Sequence, residues 1–381
     1  MSKRIVIFRP GIVANKSAFE AMLEIYRYLQ NHFNWEFVII KDEEDDFFDP
    51  DFMIVNIPKI SWATFPRSPF PINFIMFQKK VLKNLKGFDW ILSSDPTIYK
   101  QGLLAAYASK ILNIPLIYDA SLTVPGVKMG FIGKINNRIS KWALKQAKII
   151  WITVPKVAER FKEIGLFNND TSQKFIVMGH PVNTTIFKPS EYSSEREEIV
   201  ILCVSRFVVE KGIQYIISAL KPLIKKHPNV KLKLVGGGEA KAFLERIIKE
   251  NQLEENVEFI GNVPHKDLVN IYQNADIFIN HPISVMEWEE FFGVSNIEAM
   301  SCGLPIVTST CGGISYVLRE NDIAEIVNER DIVGITNSLE KLINDRNYYN
   351  ILRENGRKYV QENYDLKVIA EKYKKCIDEQ T

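Results

Sequence analysis

A chain of 381 residues, 46% hydrophobic and 25% charged, is longer than a typical single core and reads as a globular protein of two domains, which excludes disordered and fibrous classes. It has no apolar run of about 18 residues, so no segment of it reads as a membrane-spanning helix. The formal charge of +2 hides an asymmetry: residues 1–190 hold 25 Lys/Arg against 16 Asp/Glu, a net +9, and the remainder 23 against 30, a net −7. The basic half suits an anionic partner, either a membrane surface or a phosphorylated acceptor; no recognised nucleic-acid motif accompanies the charge, so no nucleic acid is expected.

From the N-terminus, Met1-Ser2-Lys3-Arg4-Ile5-Val6-Ile7-Phe8 enters a strand with no cleavable apolar segment, which argues against secretion and for a cytoplasmic protein. Cys203, Cys302, Cys311 and Cys376 lack metal-ligand spacing and suit a reducing compartment. Apolar runs predict strands at Ile5–Phe8, Phe37–Ile40, Trp90–Ser93, Leu116–Tyr118, Ile149–Thr153 and Phe175–Val177, with helical spacing over Ala18–Asn31 and Gln101–Leu112. The acidic run Asp42–Asp51 contains Asp49-Pro50-Asp51 and reads as a solvated loop, not a metal site. Ser61–Phe77 is crowded with aromatics and prolines, and fits either an acceptor groove, a lipid-dipping segment or a loop packed on the core. Lys128–Lys148 sets Lys128, Lys134, Arg138, Lys141, Lys145 and Lys148 between apolar residues at helical spacing, which suits an anionic membrane surface and an ordinary exposed helix nearly equally. A polar link over Pro189–Glu198 precedes a second strand–helix series from Ile199 to Val327. Alternating strands and helices of this kind build parallel α/β sheets with ligands at the carboxyl ends of the strands.

The most informative stretch runs from Trp288 to Leu318. Gly293 stands where a loop turns into a helix, so the N–H groups of the following residues lack intrahelical partners and carry the positive end of the helix dipole, a place that holds a diphosphate without side-chain charge. Glu290 before the turn and Glu298 inside the helix flank it, each able to accept hydrogen bonds from sugar hydroxyls. Ser295-x-x-Glu298 is equally a capping box. Upstream lie Ile201–Val204 followed by Ser205-Arg206 and Lys211-Gly212, then Leu234-Val235-Gly236-Gly237-Gly238, Val257–Gly261 with Asn262-Val263, and Tyr272–Asp276; downstream lie Pro305-Ile306-Val307-Thr308 and Gly312-Gly313. This ordered set resembles the retaining glycosyltransferases of family 4, with Glu290 and Glu298 as the glutamates of the E-x7-E segment.

The resemblance implies an α/β, GT-B fold: two Rossmann-like doubly wound parallel-sheet domains facing a cleft, with an acceptor domain over 1–190, a nucleotide-sugar donor domain over 191–361, and a final helix over 362–381 that crosses back to the first domain. It implies a metal-independent, retaining hexosyltransferase that needs no cofactor, its donor substrate being a nucleoside-diphosphate sugar. Arg206 and Lys211 would neutralise the departing diphosphate, Glu290 would contact the donor hexose and Glu298 the ribose. Gly293, Val294 and Ser295 would offer backbone donors to the phosphates, the base would lie near Asn262 and Val263, and Gly236, Gly238 and Gly11 would approach the ligand, although a triple glycine is as often just a tight connection.

The first half departs from the family pattern. Arg9-Pro10-Gly11-Ile12 offers one glycine where many relatives have two, and Pro115-Leu116-Ile117-Tyr118-Asp119-Ala120-Ser121 places Ser121 where a histidine is usual. Asp119 or Ser121 would then orient donor or acceptor, unless they merely cap a turn. His180 reads as structural, and Tyr316 stands where many relatives have a glutamate. Three readings of the function follow: transfer to a lipid-linked or anionic glycan, transfer to a small soluble sugar or sugar phosphate, or a non-catalytic protein that binds nucleotide sugar or glycan.

Overall fold

A computed structural model describes residues 2–9, 16–57, 82–94, 101–120, 130–166, 174–190, 197–286 and 288–380, with the side chains of 16–21, 101 and 130–137 outside the description. Gly11, Ser121, the 61–77 segment and Lys128 therefore lie outside the described residues. The chain divides into one unit made of Met1–Gly179 with Ala370–Thr381 and another made of His180–Ile369.

In the first unit the order is β1 (Arg4–Phe8), α1 (Lys16–Phe33), β2 (Glu36–Asp42), β3 (Met53–Ile57), β4 (Trp90–Ser94), α2 (Gln101–Leu112), β5 (Leu116–Asp119), α3 (Gly130–Gln146), β6 (Ile149–Ile152), α4 (Pro155–Glu163) and β7 (Phe175–Val177). Among the described residues these strands form a parallel sheet in the order β3-β2-β1-β4-β5-β6-β7. Ile5–Phe8, Ile91–Leu92 and Ile149–Ile152 are buried without alternation, as strands covered on both faces require. Strand β3 was not expected from the sequence. It is an edge strand with Met53 exposed, so it lacks the continuous apolar run that marks the inner strands. The acidic stretch before it is largely exposed, as a solvated loop requires, but Asp49 within it is buried; Arg27 pairs with Asp49 and, at 2.7 Å, with the exposed Asp51.

The second unit runs β8 (Ile199–Val204), α5 (Ile213–Lys226), β9 (Val230–Val235), α6 (Lys241–Asn251), β10 (Val257–Gly261), α7 (Leu268–Gln273), β11 (Ile277–Asn280), α8 (Val294–Ser301), β12 (Ile306–Ser309), α9 (Ile314–Val317), β13 (Glu325–Val327), α10 (Ile332–Asn344) and α11 (Arg346–Asn363), and includes the start of α12 (Leu366–Asp378). Its strands, again all parallel among the described residues, are ordered β10-β9-β8-β11-β12-β13. Ile201, Leu232, Leu234, Ile277 and Ile279 pack against Ile216 and Leu220 of α5 and Ile335 and Leu339 of α10. Each such buried side chain contributes about 2 kcal/mol through apolar area removed from water.

The division falls at Gly179/His180, ahead of the polar stretch read as the link, because residues after it bond into the second unit. Val182 N donates to Tyr364 O (2.9 Å), Leu366 N donates to Val182 O (3.0 Å) and Thr184 Oγ1 donates to Asp365 (2.6 Å). The chain returns to the first unit within α12, where Tyr373 lies 4.1 Å from the Trp151 ring, Trp151 Nε1 meets Cys376 Sγ at 3.5 Å and Lys3 pairs with Asp378.

Candidate active site

In an open parallel sheet the strand order reverses at one point, and the loops leaving the strands on either side of it diverge to leave a crevice. In the second unit that point lies between β8 and β11. The loop after β8 carries Arg206 and Lys211, and the loop after β11 carries Trp288 and Glu290 and leads into α8. The topology thus brings residues separated by some eighty positions to one end of one sheet.

The segment after β8 is fixed by the glycine loop after β9. Phe207 N donates to Gly237 O (2.8 Å), Ala240 N to Phe207 O (2.9 Å) and Gly236 N to Gly261 O (2.8 Å). A Cβ on Gly236 would stand 2.0 Å from Ser205 O and one on Gly238 2.4 Å from Phe207 O. This close backbone approach accounts for both glycines, whatever else they touch. Arg206 projects from the braced segment, exposed. Asn262 is exposed and stands against Gly237, and Val263 beside it is half-buried.

Lys211 Nζ is in direct contact with Glu290 Oε2, and both side chains are mostly buried. The ammonium also lies 5.1 Å from the centre of the Trp288 ring, whose face attracts a cation. Glu290 is held through its backbone: its N–H donates to Cys311 Sγ (3.4 Å) and its carbonyl accepts from Gly313 N (2.8 Å). Burial pushes the Cys311 thiol up to about 11, so it stays a neutral thiol in this support.

Gly293, with φ +72, precedes α8. Asn280 Nδ2 meets Ser295 Oγ at 3.3 Å and Asn296 Nδ2 meets Thr308 Oγ1 at 3.3 Å, which fasten the first turn of α8 to β11 and β12. Val294 and Ser295 follow Gly293 half-buried, at the positive end of the helix. Glu298 is buried on the same helix, where Oε2 accepts from Tyr272 OH (2.9 Å) and Oε1 lies 2.7 Å from His265 Nε2. Burial, with Glu298 beside it, pushes the Tyr272 phenol well above its ordinary value and keeps it a donor. The arrangement offers a cation, a carboxylate, a helix N-terminus and a second, oriented carboxylate along one crevice edge.

In the first unit, Asp119 closes β5 and is buried in an ion pair with Arg9, which follows β1 (2.8 Å). The pair joins the carboxyl ends of two strands of the sheet. In the second unit, His180 is buried, 5.9 Å from the Phe292 ring, and its Nδ1 donates to Pro181 O (3.2 Å).

His281, directly after β11, is fully buried, and Nε2 accepts from Arg330 N (3.1 Å). Burial lowers its pKa to about 4. The unfolded chain therefore binds more protons between the ordinary histidine value and about 4, and stability present above that window is lost as pH falls through it, by about 3 kcal/mol. Urea midpoints measured at neutral pH and at pH ~4.5 are expected to converge for His281→Gln; an unchanged pH dependence in that variant would remove His281 as the cause.

Trp288, Tyr272 and His265 are the parts of this site that sequence reasoning does not assign a role. Tyr272 lies in a recognised motif, but neither its bond to Glu298 nor that of His265 has a local signal, because each spans a helix or more of intervening chain.

Residues 185–359 match the family model described as glycosyl transferases group 1. A phosphatidylinositol N-acetylglucosaminyltransferase subunit from Homo sapiens is 31% identical over 203 residues, covering 53% of this chain and 40% of that protein. The alpha-monoglucosyldiacylglycerol synthase of Acholeplasma laidlawii is 22% identical over 298 residues, 71% of each chain. The chain spans less than half the length of the phosphatidylinositol N-acetylglucosaminyltransferase subunits that it matches. The crystal structure of Anabaena Alr3699/HepE in complex with UDP superimposes with a TM-score of 0.78 at 18% identity, covering 99% of this chain and 100% of that one, and shows that the two Rossmann-like units are of the GT-B type.

Proposed function

We propose that the protein is a retaining, metal-independent glycosyltransferase that moves a hexose from a nucleoside-diphosphate sugar to a hydroxyl of a lipid-linked or anionic glycan acceptor. The observation that carries this reading is the Lys211–Glu290 contact beside the start of α8, at the switch point of the second sheet. The diphosphate lies against the N–H groups after Gly293, with Lys211 and Arg206 as countercharges, while Glu298, already oriented by Tyr272, receives the ribose hydroxyls. Glu290 faces the hexose and shares Lys211 with the phosphate.

In the transfer the bond from the anomeric carbon to the phosphate oxygen breaks and the acceptor oxygen bonds that carbon on the same face. The departing phosphate oxygen takes the acceptor proton, so no protein base is required at the position of Ser121. Stabilising charge that builds on the leaving diphosphate is the main electrostatic demand, and preorganised donors meet it. The names of the human and Acholeplasma relatives both carry a lipid acceptor, which supports a lipid-borne hydroxyl here. UDP bound to the Anabaena protein makes a UDP-sugar the first donor to try.

The test is nucleoside diphosphate release across UDP-, GDP- and ADP-sugars, with and without a membrane lipid extract and with and without a chelator. Release with one donor, raised by lipid, insensitive to chelator and giving a product of retained anomeric configuration is the expected result. Tight donor binding with no release under any acceptor would instead favour a binding protein, and complete loss on chelation would overturn the metal-independent mechanism.

A further inference from the structure

One face of the first unit is built from cations and exposed apolar side chains together. Residues 96–158 contain nine Lys/Arg and a single acidic residue, Asp119, which is buried against Arg9 and contributes no negative charge to the surface. On α3 the exposed positions Arg138, Ile139, Trp142 and Lys145 follow one another at helical spacing, while Ala143 and Leu144 turn inward. Lys110 and Ile111 at the end of α2 lie alongside, with Lys110 Nζ 6.0 Å from the Trp142 ring. Ile111 is 54% exposed, Ile139 41% and Trp142 37%. Among the described residues, none of Lys110, Arg138, Lys145 or Lys148 enters an ion pair, although surface ion pairs are frequent elsewhere on the chain. Beside it Lys174 donates to the carbonyls of Lys145 and Ala147, and burial together with Lys148 depresses its pKa, so among the described residues cations crowd here without a counterion.

A single exposed isoleucine needs no explanation, but three large apolar side chains interleaved with cations do. Phosphates of a nucleic acid would satisfy the charges and leave Ile111 and Ile139 without a partner. A bilayer interface satisfies both: headgroup phosphates meet Lys and Arg, the indole of Trp142 settles at headgroup level, and the isoleucines reach the upper acyl chains. We propose that the α2–α3 face, centred on Trp142 and flanked by Lys110, Arg138 and Lys145, docks onto the surface of an anionic lipid bilayer. The proposal deepens the glycosyltransferase reading by bringing the chain to where a lipid-borne acceptor lies, but docking itself requires no turnover.

The test is co-sedimentation of the full chain with vesicles of phosphatidylcholine alone and of equal parts phosphatidylcholine and phosphatidylglycerol. Wild type is expected to bind the anionic vesicles preferentially and less well as salt rises. The double variant Arg138→Glu, Lys145→Glu is expected to bind at least ~25-fold more weakly, from ~5-fold per cation lost, and Trp142→Ala several-fold more weakly. Lys358→Glu, an exposed charge on α11, serves as the control and is expected to bind as wild type does. Circular dichroism of each variant checks that it folds. Equal binding by the double variant, indifference of wild type to phosphatidylglycerol, or capture of wild type by an oligonucleotide in preference to the vesicles would overturn the proposal. Nucleoside diphosphate release from donor alone, measured on the same variants, is expected to be unchanged. Release without vesicle binding defeats docking alone, and vesicle binding without release from any donor defeats the enzymatic reading alone.

Discussion

Lys211→Ala is expected to lower nucleoside diphosphate release by about 10²–10³-fold, the usual effect of removing one preorganised group from a developing negative charge. The side chain is mostly buried, touches Glu290 and lies against Trp288, so its ammonium is held in place before any ligand arrives. Removing it leaves the Glu290 carboxylate without that cation beside the phosphate position, which adds repulsion to the lost attraction. Glu298→Ala is expected to act by a different route. It removes the acceptor oriented by Tyr272 and His265, weakening donor binding as well as turnover, and it leaves a buried phenol hydroxyl without its partner. Steady-state release with the preferred donor separates the two, since Lys211→Ala is expected chiefly in kcat and Glu298→Ala in KM as well. Wild-type turnover in both variants would show that the site lies elsewhere.

The second large effect is structural. Gly312→Ala is expected to destabilise the second unit by about 2–5 kcal/mol, from the left-handed backbone and from steric overlap together. Gly312 has φ +58, and a Cβ there would stand 2.2 Å from Glu290 O. That carbonyl is already bonded to Gly313 N, so it cannot rotate away, and the loop carrying Glu290 must shift. The melting midpoint is expected to fall by roughly 5–15 °C at that loss for a unit of this size, with activity reduced at temperatures where the variant is folded. Gly261→Ala is the comparison: its φ is also positive, at +87, but its Cβ would meet nothing within 4 Å. It is expected to show the conformational cost without the displaced loop. Equal midpoints for the two alanine variants would refute the steric argument.

The inner strands were legible in the sequence because parallel strands covered on both faces must be apolar throughout, as in Ile5–Phe8 and Ile201–Val204. Strand β3 was not, because an edge strand with a solvated face needs no such run. The burial of Asp49, within a run that is otherwise largely exposed, escaped for a related reason: its partner Arg27 lies on α1, and no local pattern announces a pair across that distance. Asp119 shows the same limit from the other side. Its place at a strand end was readable, but its burial against Arg9 depends on β1 and β5 ending at the same end of one parallel sheet.

Hydrophobic period and chain-reversing glycines act over a few residues, and so the α/β class, the inner strands and the turn at Gly293 that opens a helix between two glutamates could be read from the sequence without the fold. The tertiary structure alone decided that Lys211 reaches Glu290, that Tyr272 and His265 both hold Glu298, and that Lys110 and Trp142 share one exposed face. Those contacts join side chains on different elements, and only the strand order, which reverses beside β1 and again beside β8, fixes which elements become neighbours.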